Sequence, residues 1–160
     1  MTFNAFRRSF EPVIRRLLHF AWRFTRPLTL GVRAVVVDGD GKVFLVEHSY
    51  VAGWHLPGGG VEAGETLLVA LRRELHEEGN IEPGDAPRLF GVYFNHRISR
   101  RDHVALFIVR SFRQTAPPQP NHEIVAHGFF ATYELPDDTT RATRERIAEV
   151  LSGRTPSEIW

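Results

Sequence analysis

Hydrophobic and polar residues change their spacing several times along the chain, and each change marks a predicted element. Segments 28–37 and 42–48 are rich in β-branched residues or alternate apolar with polar residues, and an Asp-Gly-Asp-Gly turn at 38–41 joins them. This pattern predicts a β-hairpin. Residues 66–78 lack glycine and proline and contain strong helix formers. They predict a helix with four core-facing leucines: Leu67, Leu68, Leu71 and Leu75.

The second half of the chain alternates between strand-like segments and turns. Three further strands are predicted, at 88–95, 103–112 and 124–132. Residues 53–60 and the proline-rich residues 115–121 predict loops, and residues 139–151 predict a closing helix that ends before Gly153. Strands mixed with helices indicate an α/β fold. We expect a mixed β-sheet with helices on both faces, a three-layer α/β/α sandwich.

Residues 1–26 form a separate basic segment. Six arginines and one glutamate give it a net charge of +5, so residues 27–160 carry −4 of the overall +1. Seven of its residues recur at helical spacing: Phe3, Phe6, Phe10, Ile14, Leu17, Ala21 and Phe24. We therefore predict a basic amphipathic helical arm before a domain at 27–160. Packing of the arm on the core, or on a second copy in a homodimer, is favoured. Peripheral membrane contact and a targeting peptide are the alternatives.

Composition limits the classes of protein to which this chain belongs. It is 42% hydrophobic and 24% charged and has no cysteine, which excludes disulfide frameworks and thiolate metal sites and favours the cytoplasm. Apolar runs fall well short of the roughly 20 residues that span a bilayer. The near-neutral charge argues against specific nucleic-acid binding. Eight histidines show no ligand spacing, so no zinc site is expected.

The candidate chemistry lies in the predicted first helix and the glycines before it. Glu74, Glu77 and Glu78 share one side of this helix, where like charges repel each other. A divalent cation such as Mg²⁺ or Mn²⁺, which prefers oxygen ligands, would offset that repulsion. A solvated charged helix face is the alternative for the helix in isolation. The glycines at 58–60 favour the cation site, because glycine lets the backbone approach a ligand closely.

The spacing of these residues resembles the Nudix box. The matching residues are Gly59, Glu65, Arg73-Glu74-Leu75 and Glu77-Glu78, within a motif that spans 59–81. In Nudix hydrolases this loop–helix–loop binds divalent metal and cleaves a pyrophosphate linkage. The resemblance covers about residues 28–151 and is highly specific as a motif. It implies the Nudix α/β fold, Mg²⁺ or Mn²⁺ as cofactor, and a nucleotide-type small-molecule substrate.

The resemblance also implies roles for individual residues. Three acids match the metal-binding carboxylates: Glu74, Glu77 and Glu78. The Gly58 carbonyl matches a backbone metal ligand of the family. Arg73 matches the arginine that orients the carboxylates, and Glu65 matches the glutamate that supports the motif. Asn80 stands where the family has glycine, and we expect it to end the helix in a left-handed conformation, with Gly79 as the alternative.

The implied reaction is attack by water on a phosphorus of a nucleoside diphosphate linked to another moiety. The general base is expected to be Glu77 or Glu78, with Glu123 as the second candidate. A nucleotide-binding Nudix domain without turnover is the alternative function.

Four residues are candidates for substrate binding: Arg33, Gly59, Gly60 and Arg97. For the loop that carries Arg97, a solvated basic loop is the alternative. Tyr50 and Trp54 are expected either to stack on a base or to pack in the core.

Overall fold

The structure is a computed structural model that describes residues 27–118 and 122–160. The predicted N-terminal arm at 1–26 lies outside the described residues. The described elements, in chain order, are β1 (Thr29–Val36), β2 (Val43–His48), β3 (Trp54–His55), α1 (Leu67–Gly79), β4 (Glu82–Pro83), β5 (Arg88–Phe94), β6 (Asp102–Val109), β7 (Phe112–Arg113), β8 (Ile124–Phe130) and α2 (Arg141–Ser152).

The strands form two three-stranded sheets and one short pair. In the first sheet, β1 pairs with β6 in parallel and β6 pairs with β5 antiparallel, in the order β1-β6-β5. In the second sheet, β2 lies between β3 and β8 and is antiparallel to both. β4 and β7 pair with each other. The mixed sheet is as predicted.

The two helices cover opposite faces of the strands. Val32, Ala34 and Val36 of β1 belong to the core cluster that contains the buried residues of α1. Val35, which lies between them, belongs to the cluster that contains Ile147 of α2. Side chains alternate across a strand, so these two clusters lie on opposite faces. The prediction of a three-layer α/β/α sandwich is confirmed.

The predicted hairpin of the first two strands is wrong, although its turn forms. The Asp38 carboxylate accepts hydrogen bonds from the N–H groups of Asp40 and Lys42, at 3.0 and 2.8 Å. Beyond the turn, one isolated bridge joins Val37 to Val43, and the strands then enter different sheets. β1 pairs instead with β6, more than 70 positions along the chain, and β2 lies between the nearby β3 and the distant β8.

α1 begins and ends within one residue of its predicted limits. The Thr66 hydroxyl caps its first turn by accepting from the Val69 N–H at 3.2 Å. Asn80 ends it in the left-handed conformation, with φ 49° and ψ 37°, and its N–H donates to the His76 carbonyl. The expected role of Asn80 is therefore confirmed, and the alternative residue, Gly79, is helical.

The buried face of α1 differs from the predicted one, because it includes one of the acids and leaves one predicted leucine exposed. Leu68, predicted to face the core, is 38% exposed. Leu71 and Leu75 are buried as predicted, and Ala70 and Glu78 are buried with them. At about 100° per residue these four residues share one face, and Leu68 lies at its margin. The buried face therefore includes Glu78.

Other predicted boundaries need smaller changes. α2 spans Arg141–Ser152 between the cap residues Thr140 and Gly153, so it begins two residues later than predicted and ends before Gly153 as predicted. The predicted strand at 103–112 divides into β6 and β7, and the predicted loop at 53–60 contains β3. Within the described ranges, no helix has the length and apolar character needed to cross a membrane.

Candidate active site

The glycine segment before α1 runs alongside β1 and is held there by backbone hydrogen bonds. The Ala34 N–H donates to the Pro57 carbonyl at 3.0 Å, and the Val32 N–H donates to the Gly59 carbonyl at 2.9 Å. Gly58 lies between these contacts with φ 136°, where a Cβ would overlap the Val32 carbonyl. Glycine is therefore required at this position by both conformation and space.

The same segment lies directly against two of the predicted acids. The Gly58 N–H donates to Glu78 Oε2 at 2.7 Å. A Cβ on Gly59 would overlap the Glu74 carboxylate. The glycines thus let the backbone and the carboxylates of α1 approach more closely than side chains would permit.

Arg73 joins the loop before α1 to the acids on it. Its guanidinium donates to both carboxylate oxygens of Glu65 at 3.0 Å, to Glu74 Oε1 at 2.7 Å and to the Gly60 carbonyl at 3.0 Å. Its contact with Glu77 Oε2 is longer, at 3.4 Å. Hydrogen bonds from Arg73 and from a backbone N–H lower the pKa of the Glu65 carboxyl. The geometry suits the orienting and supporting roles expected of Arg73 and Glu65, which stay predictions.

Glu78 is the most deeply buried of the three acids. Its carboxylate contacts His48 Nε2 at 2.8 Å through Oε1 and the Gly58 N–H through Oε2. Burial raises the pKa of Glu78 from 4.5 to about 7, and the negative charges of Glu74 and Glu123 act in the same direction. The Arg33 charge and the Gly58 N–H oppose this rise without cancelling it.

His48, the last residue of β2, is a site residue that sequence reasoning missed. It is 5% exposed. Burial, together with the charges of Arg33 and His55, lowers its pKa from 6.5 to about 4. The nearest signal in the sequence is an ionisable residue ending an otherwise apolar strand, but its contact with Glu78 depends on the tertiary fold.

Glu74 and Glu123 extend the negative charge around Glu78. Burial raises the pKa of Glu74, Arg73 opposes that rise, and Glu77 adds to it. Glu123 lies beyond the proline-rich segment, and its backbone carbonyl accepts from the Ser49 N–H at 2.8 Å. Its charge raises the pKa of Glu78. The structure thus brings together all four acids that the sequence nominated for catalysis or metal binding.

The two candidate arginines lie in different places. Arg33 on β1 donates from Nη1 to the Leu56 carbonyl at 2.8 Å, and its charge lowers the pKa of Glu78. Arg97 is exposed in the loop between β5 and β6, and its charge helps to lower the pKa of Glu145 in α2. Arg33 therefore lies among the acids, whereas Arg97 acts on the opposite helix. Substrate binding by either residue stays a prediction.

The two aromatic candidates differ in exposure. Trp54 packs against Phe130 with ring centroids 4.8 Å apart, as part of the core. Tyr50 is 71% exposed, and its ring lies 5.1 Å from that of His48. Tyr50 is the aromatic residue of the pair that a nucleobase can reach.

The donor chemistry of the site fits a divalent cation. Across 27–118 and 122–160, no three acidic or histidine side chains converge on one point as placed, because Glu74 faces Arg73 and Glu78 faces His48. Five acids nevertheless surround two arginines, Arg33 and Arg73: Glu65, Glu74, Glu77, Glu78 and Glu123. These acids outnumber the arginines, and burial first and neighbouring acids second raise the pKa values of Glu74 and Glu78. Carboxylate oxygens are the ligands that Mg²⁺ and Mn²⁺ prefer.

Comparison with known proteins places these features in a family. A family model of the NUDIX domain matches residues 27–151. An RNA pyrophosphohydrolase of Halorhodospira halophila is 39% identical over 72 residues, which make up 44% of this chain and 40% of that protein. Another, from Francisella tularensis, is 41% identical over 54 residues, or 34% of this chain and 35% of that protein. The chain thus spans two-fifths or less of the length of these curated relatives.

Solved structures share the fold over more of the chain. A MutT NUDIX hydrolase from Burkholderia pseudomallei is 26% identical, with a TM-score of 0.65 over 76% of this chain and 97% of that one. An ADP-ribose pyrophosphatase from Streptococcus suis is 26% identical, with a TM-score of 0.60 over 82% of this chain and 95% of that one. The family-model match, the motif geometry and these folds show that this chain belongs to the Nudix family.

Proposed function

We propose that this chain is a metal-dependent pyrophosphohydrolase that hydrolyses the pyrophosphate linkage of a nucleoside diphosphate joined to another moiety. The observation that carries the proposal is the group of acids on α1, which is held against the glycine segment and outnumbers the neighbouring arginines. The pyrophosphohydrolase names of relatives with this motif support it. A chain without cysteine also suits the reducing cytoplasm, where we place the activity.

Mg²⁺ is the proposed cofactor, with Mn²⁺ as a substitute. Four groups would hold it: the carboxylates of Glu74, Glu77 and Glu78 and the carbonyl of Gly58. When bound, such a cation neutralises phosphate charge and lowers the pKa of a coordinated water.

The surrounding residues of the chain keep these groups in place. Arg73 holds Glu74 and ties α1 to Glu65. His48 and the Gly58 N–H hold the two oxygens of Glu78. A site supported in this way loses little entropy when it binds its ligand, because its side chains are already ordered.

Glu77 is the proposed general base. Its side chain is 57% exposed, and its contact with Arg73 is the longest of the set at 3.4 Å, so a carboxylate oxygen is accessible to water. As water forms the new bond to phosphorus and the bridging P–O bond breaks, the water proton passes to that oxygen. Glu78, whose two oxygens are both engaged, and the exposed Glu123 are the alternative bases.

Several groups around the acids are suited to the substrate. Arg33 supplies positive charge to the phosphates from within the cluster. The backbone at Gly59 and Gly60 leaves room for close approach. Tyr50 offers an exposed ring for a nucleobase. Arg97 stays a predicted substrate-binding residue, although its charge acts on Glu145 of α2.

A hydrolysis screen with the full chain tests the proposal. The panel contains nucleoside diphosphate sugars, ADP-ribose, dinucleoside polyphosphates, nucleoside triphosphates and 5′-triphosphorylated RNA, each with Mg²⁺, Mn²⁺ or chelator. We expect phosphate-containing products from at least one class, with metal and not with chelator. Reaction in ¹⁸O-labelled water identifies the phosphorus that is attacked.

Matched variants separate catalysis from binding. Glu77→Gln should abolish the products, whereas Glu145→Gln on α2 should retain them, because Glu145 lies with Arg141 on the other helix. Thermal stabilisation by a nucleotide with no product from any substrate would instead support a Nudix domain that binds without turnover. An intact panel under all metal conditions would contradict the enzyme proposal.

A further inference from the structure

Both carboxylate oxygens of Glu78 are engaged, and their two contacts differ in kind. Oε2 accepts from the Gly58 N–H at 2.7 Å, and Oε1 contacts His48 Nε2 at 2.8 Å. The first contact comes from the backbone, so it follows from the path of the glycine segment. The second comes from a side chain, which a single substitution can remove. Within the part of the chain that the structure describes, His48 is therefore the side chain on which the orientation of Glu78 depends.

The backbone that carries the imidazole is fixed at His48 and directly after it. His48 pairs with Ile124 of β8. The next residue, Ser49, donates its N–H to the Glu123 carbonyl and its hydroxyl to the His122 carbonyl, both at 2.8 Å. A side chain on backbone that is held in this way starts from a fixed point.

Two aromatic rings pack edge-on against the imidazole. The Tyr50 ring lies 5.1 Å from it with an interplanar angle of 66°, and the His55 ring lies 5.9 Å from it with an angle of 84°. His55 is itself held by a contact between its Nε2 and the Ala52 carbonyl at 3.0 Å. The His48 side chain is 2% exposed, so close packing leaves its ring little room to rotate.

The two ring nitrogens of His48 have different surroundings, which decides where the proton lies. Nε2 faces a carboxylate oxygen, and a charged carboxylate only accepts hydrogen bonds. A bare Nε2 would therefore place one acceptor against another. Nδ1 is buried and has no hydrogen-bond partner in residues 27–118 and 122–160, so a proton there would be a buried donor without an acceptor. The geometry is that of a neutral imidazole which donates from Nε2 to Glu78.

We propose that His48 is a positioning residue of the cation site: its Nε2–H holds the Glu78 carboxylate in the orientation that binds the divalent cation, and the affinity for the cation depends on this donor. A carboxylate oxygen keeps a lone pair after it accepts one hydrogen bond, so Glu78 can bond to His48 and to a cation together. Hydrogen-bond partners of metal ligands contribute to affinity because they orient the ligand before the metal arrives.

This inference deepens the proposed function and rests on the cation site named there. It does not depend on which substrate is hydrolysed or on which acid is the general base. His48 acts only through Glu78, so its loss should change the affinity for the metal alone, with no substrate present.

A titration of Mn²⁺ into the metal-free full chain, followed by electron paramagnetic resonance, tests the proposal. His48→Leu removes the donor and keeps an apolar side chain in the core, so the affinity for Mn²⁺ should fall about 10- to 100-fold. His48→Gln keeps an N–H donor at the ε position of the side chain and should bring the affinity back to within about threefold of that of the unaltered chain.

His103 on β6 provides the matched control. Its Nδ1 is also buried without a partner among the described residues, and it too packs against an aromatic ring, that of Phe94, with centroids 5.4 Å apart. His103→Leu therefore removes a similar imidazole that packs against a ring and not against a carboxylate. It should change the affinity for Mn²⁺ by less than about twofold.

Nitrogen NMR of the ¹⁵N-labelled full chain tests the donor directly. The spectra are recorded without metal in mildly alkaline buffer, and the signals that disappear in His48→Gln identify His48. We expect a protonated Nε2 and a bare Nδ1. A proton on Nδ1 would overturn the proposal. This measurement uses the unaltered chain, so it tests the proposal even if His48→Leu does not fold.

The other unfavourable results are distinct from one another. Unchanged affinity in His48→Leu would overturn the role of His48 and leave the proposed cation site in place. A loss that His48→Gln does not recover, with unchanged thermal melting, would show that the ring matters by its packing and would also overturn the proposal. Absence of Mn²⁺ binding by the unaltered chain would contradict the proposed metal-dependent function together with this inference.

Discussion

Two clusters of buried charge lie on opposite faces of the first sheet, and they differ in how their charges are balanced. Behind α2, Arg146 is 3% exposed and donates to Glu149 Oε1 at 2.9 Å and to the Ile159 carbonyl at 2.8 Å. The Tyr93 hydroxyl donates to the other Glu149 oxygen at 2.9 Å, and the Tyr93 ring lies 4.7 Å from the Arg146 guanidinium carbon. In this cluster the positive charge of Arg146 balances the negative charge of Glu149.

The cluster at α1 does not neutralise itself. Glu78 is 7% exposed, and its contacts are a histidine whose pKa is lowered to about 4 and a backbone N–H. Glu74 and Glu123 add negative charge, and Arg33 offsets part of it. A buried pair that is complete serves the fold, whereas buried charge left without a balancing partner indicates a place for a ligand. The contrast points to α1 as the functional face.

The largest expected effect that distinguishes the two clusters is on catalysis. Glu78→Gln should lower the rate of hydrolysis by about a thousandfold, or about 4 kcal/mol, because it removes a proposed cation ligand. It should leave the melting temperature at pH 8 unchanged or higher, because a charged carboxylate no longer has to be buried. Steady-state kinetics and thermal melting measure the two effects. A fall in stability with activity retained would show that Glu78 serves the fold and not the reaction.

The corresponding change behind α2 should act on stability. Arg146→Ala leaves Glu149 buried without its partner, so the free energy of unfolding should fall by about 4 kcal/mol. The rate per folded molecule should change by less than about twofold, since Arg146 contacts none of the α1 acids named above. Denaturant unfolding and active-site titration check this. A loss of rate as large as that of Glu78→Gln would show that the two clusters do not differ in function.

The pH dependence of stability should show two opposing contributions at α1 in metal-free protein. The folded pKa of Glu78 is raised from 4.5 to about 7, so its contribution is full below pH 4.5 and is lost as pH rises to about 7. The folded pKa of His48 is lowered from 6.5 to about 4, so its contribution is full above pH 6.5 and is lost as pH falls to about 4. Each contribution is on the order of 3 kcal/mol, and over most of this range they cancel.

Variants separate these contributions. Glu78→Gln should give stability that rises between pH 4 and pH 6.5, and His48→Phe should give stability that falls between pH 4.5 and pH 7. Urea unfolding across this range in chelator measures both profiles. His55, whose pKa burial also lowers, contributes in the same way to both variants. Parallel profiles would show that neither group is shifted as described.

The smallest expected effect concerns the ends of the two helices, which share one backbone conformation. Asn80 at the end of α1 and Gly153 at the end of α2 both have positive φ, at 49° and 65°. Asn80→Ala should be about 1 kcal/mol less stable than Asn80→Gly, because alanine resists the left-handed conformation. Both variants lose the Asn80 side-chain bond to the Ala116 carbonyl, so their difference isolates the backbone. Equal stabilities would contradict this.

Local signals predicted α1, and tertiary contacts explain where its prediction failed. Thr66 and Asn80 mark the helix ends within the sequence itself, so the ends could be predicted. The buried face could not be predicted, because a hydrophobic pattern assigns Glu78 to the solvent. In the fold, the Gly58 N–H and His48 bind that carboxylate, and the buried face of the helix excludes Leu68, which is exposed.

Strand pairing shows the same limit on a larger scale. The turn after β1 was predicted from residues that contact each other locally, and it forms. The partner of β1 is β6, which is paired from Thr29 with Asp102 onwards, more than 70 positions along the chain. His48 and Arg146 likewise acquire their partners through the fold, 30 positions away at Glu78 and 13 positions away at Ile159.

A titration of Mn²⁺ into the metal-free full chain, followed by electron paramagnetic resonance, tests the central claim most directly, because its readout does not require turnover. We predict saturable binding that Glu78→Gln or Glu74→Gln weakens at least about tenfold and that Glu149→Gln, in the balanced cluster behind α2, leaves unchanged. Binding that is absent, or equally strong in all of these proteins, would contradict the claim that the excess negative charge at α1 is a cation site.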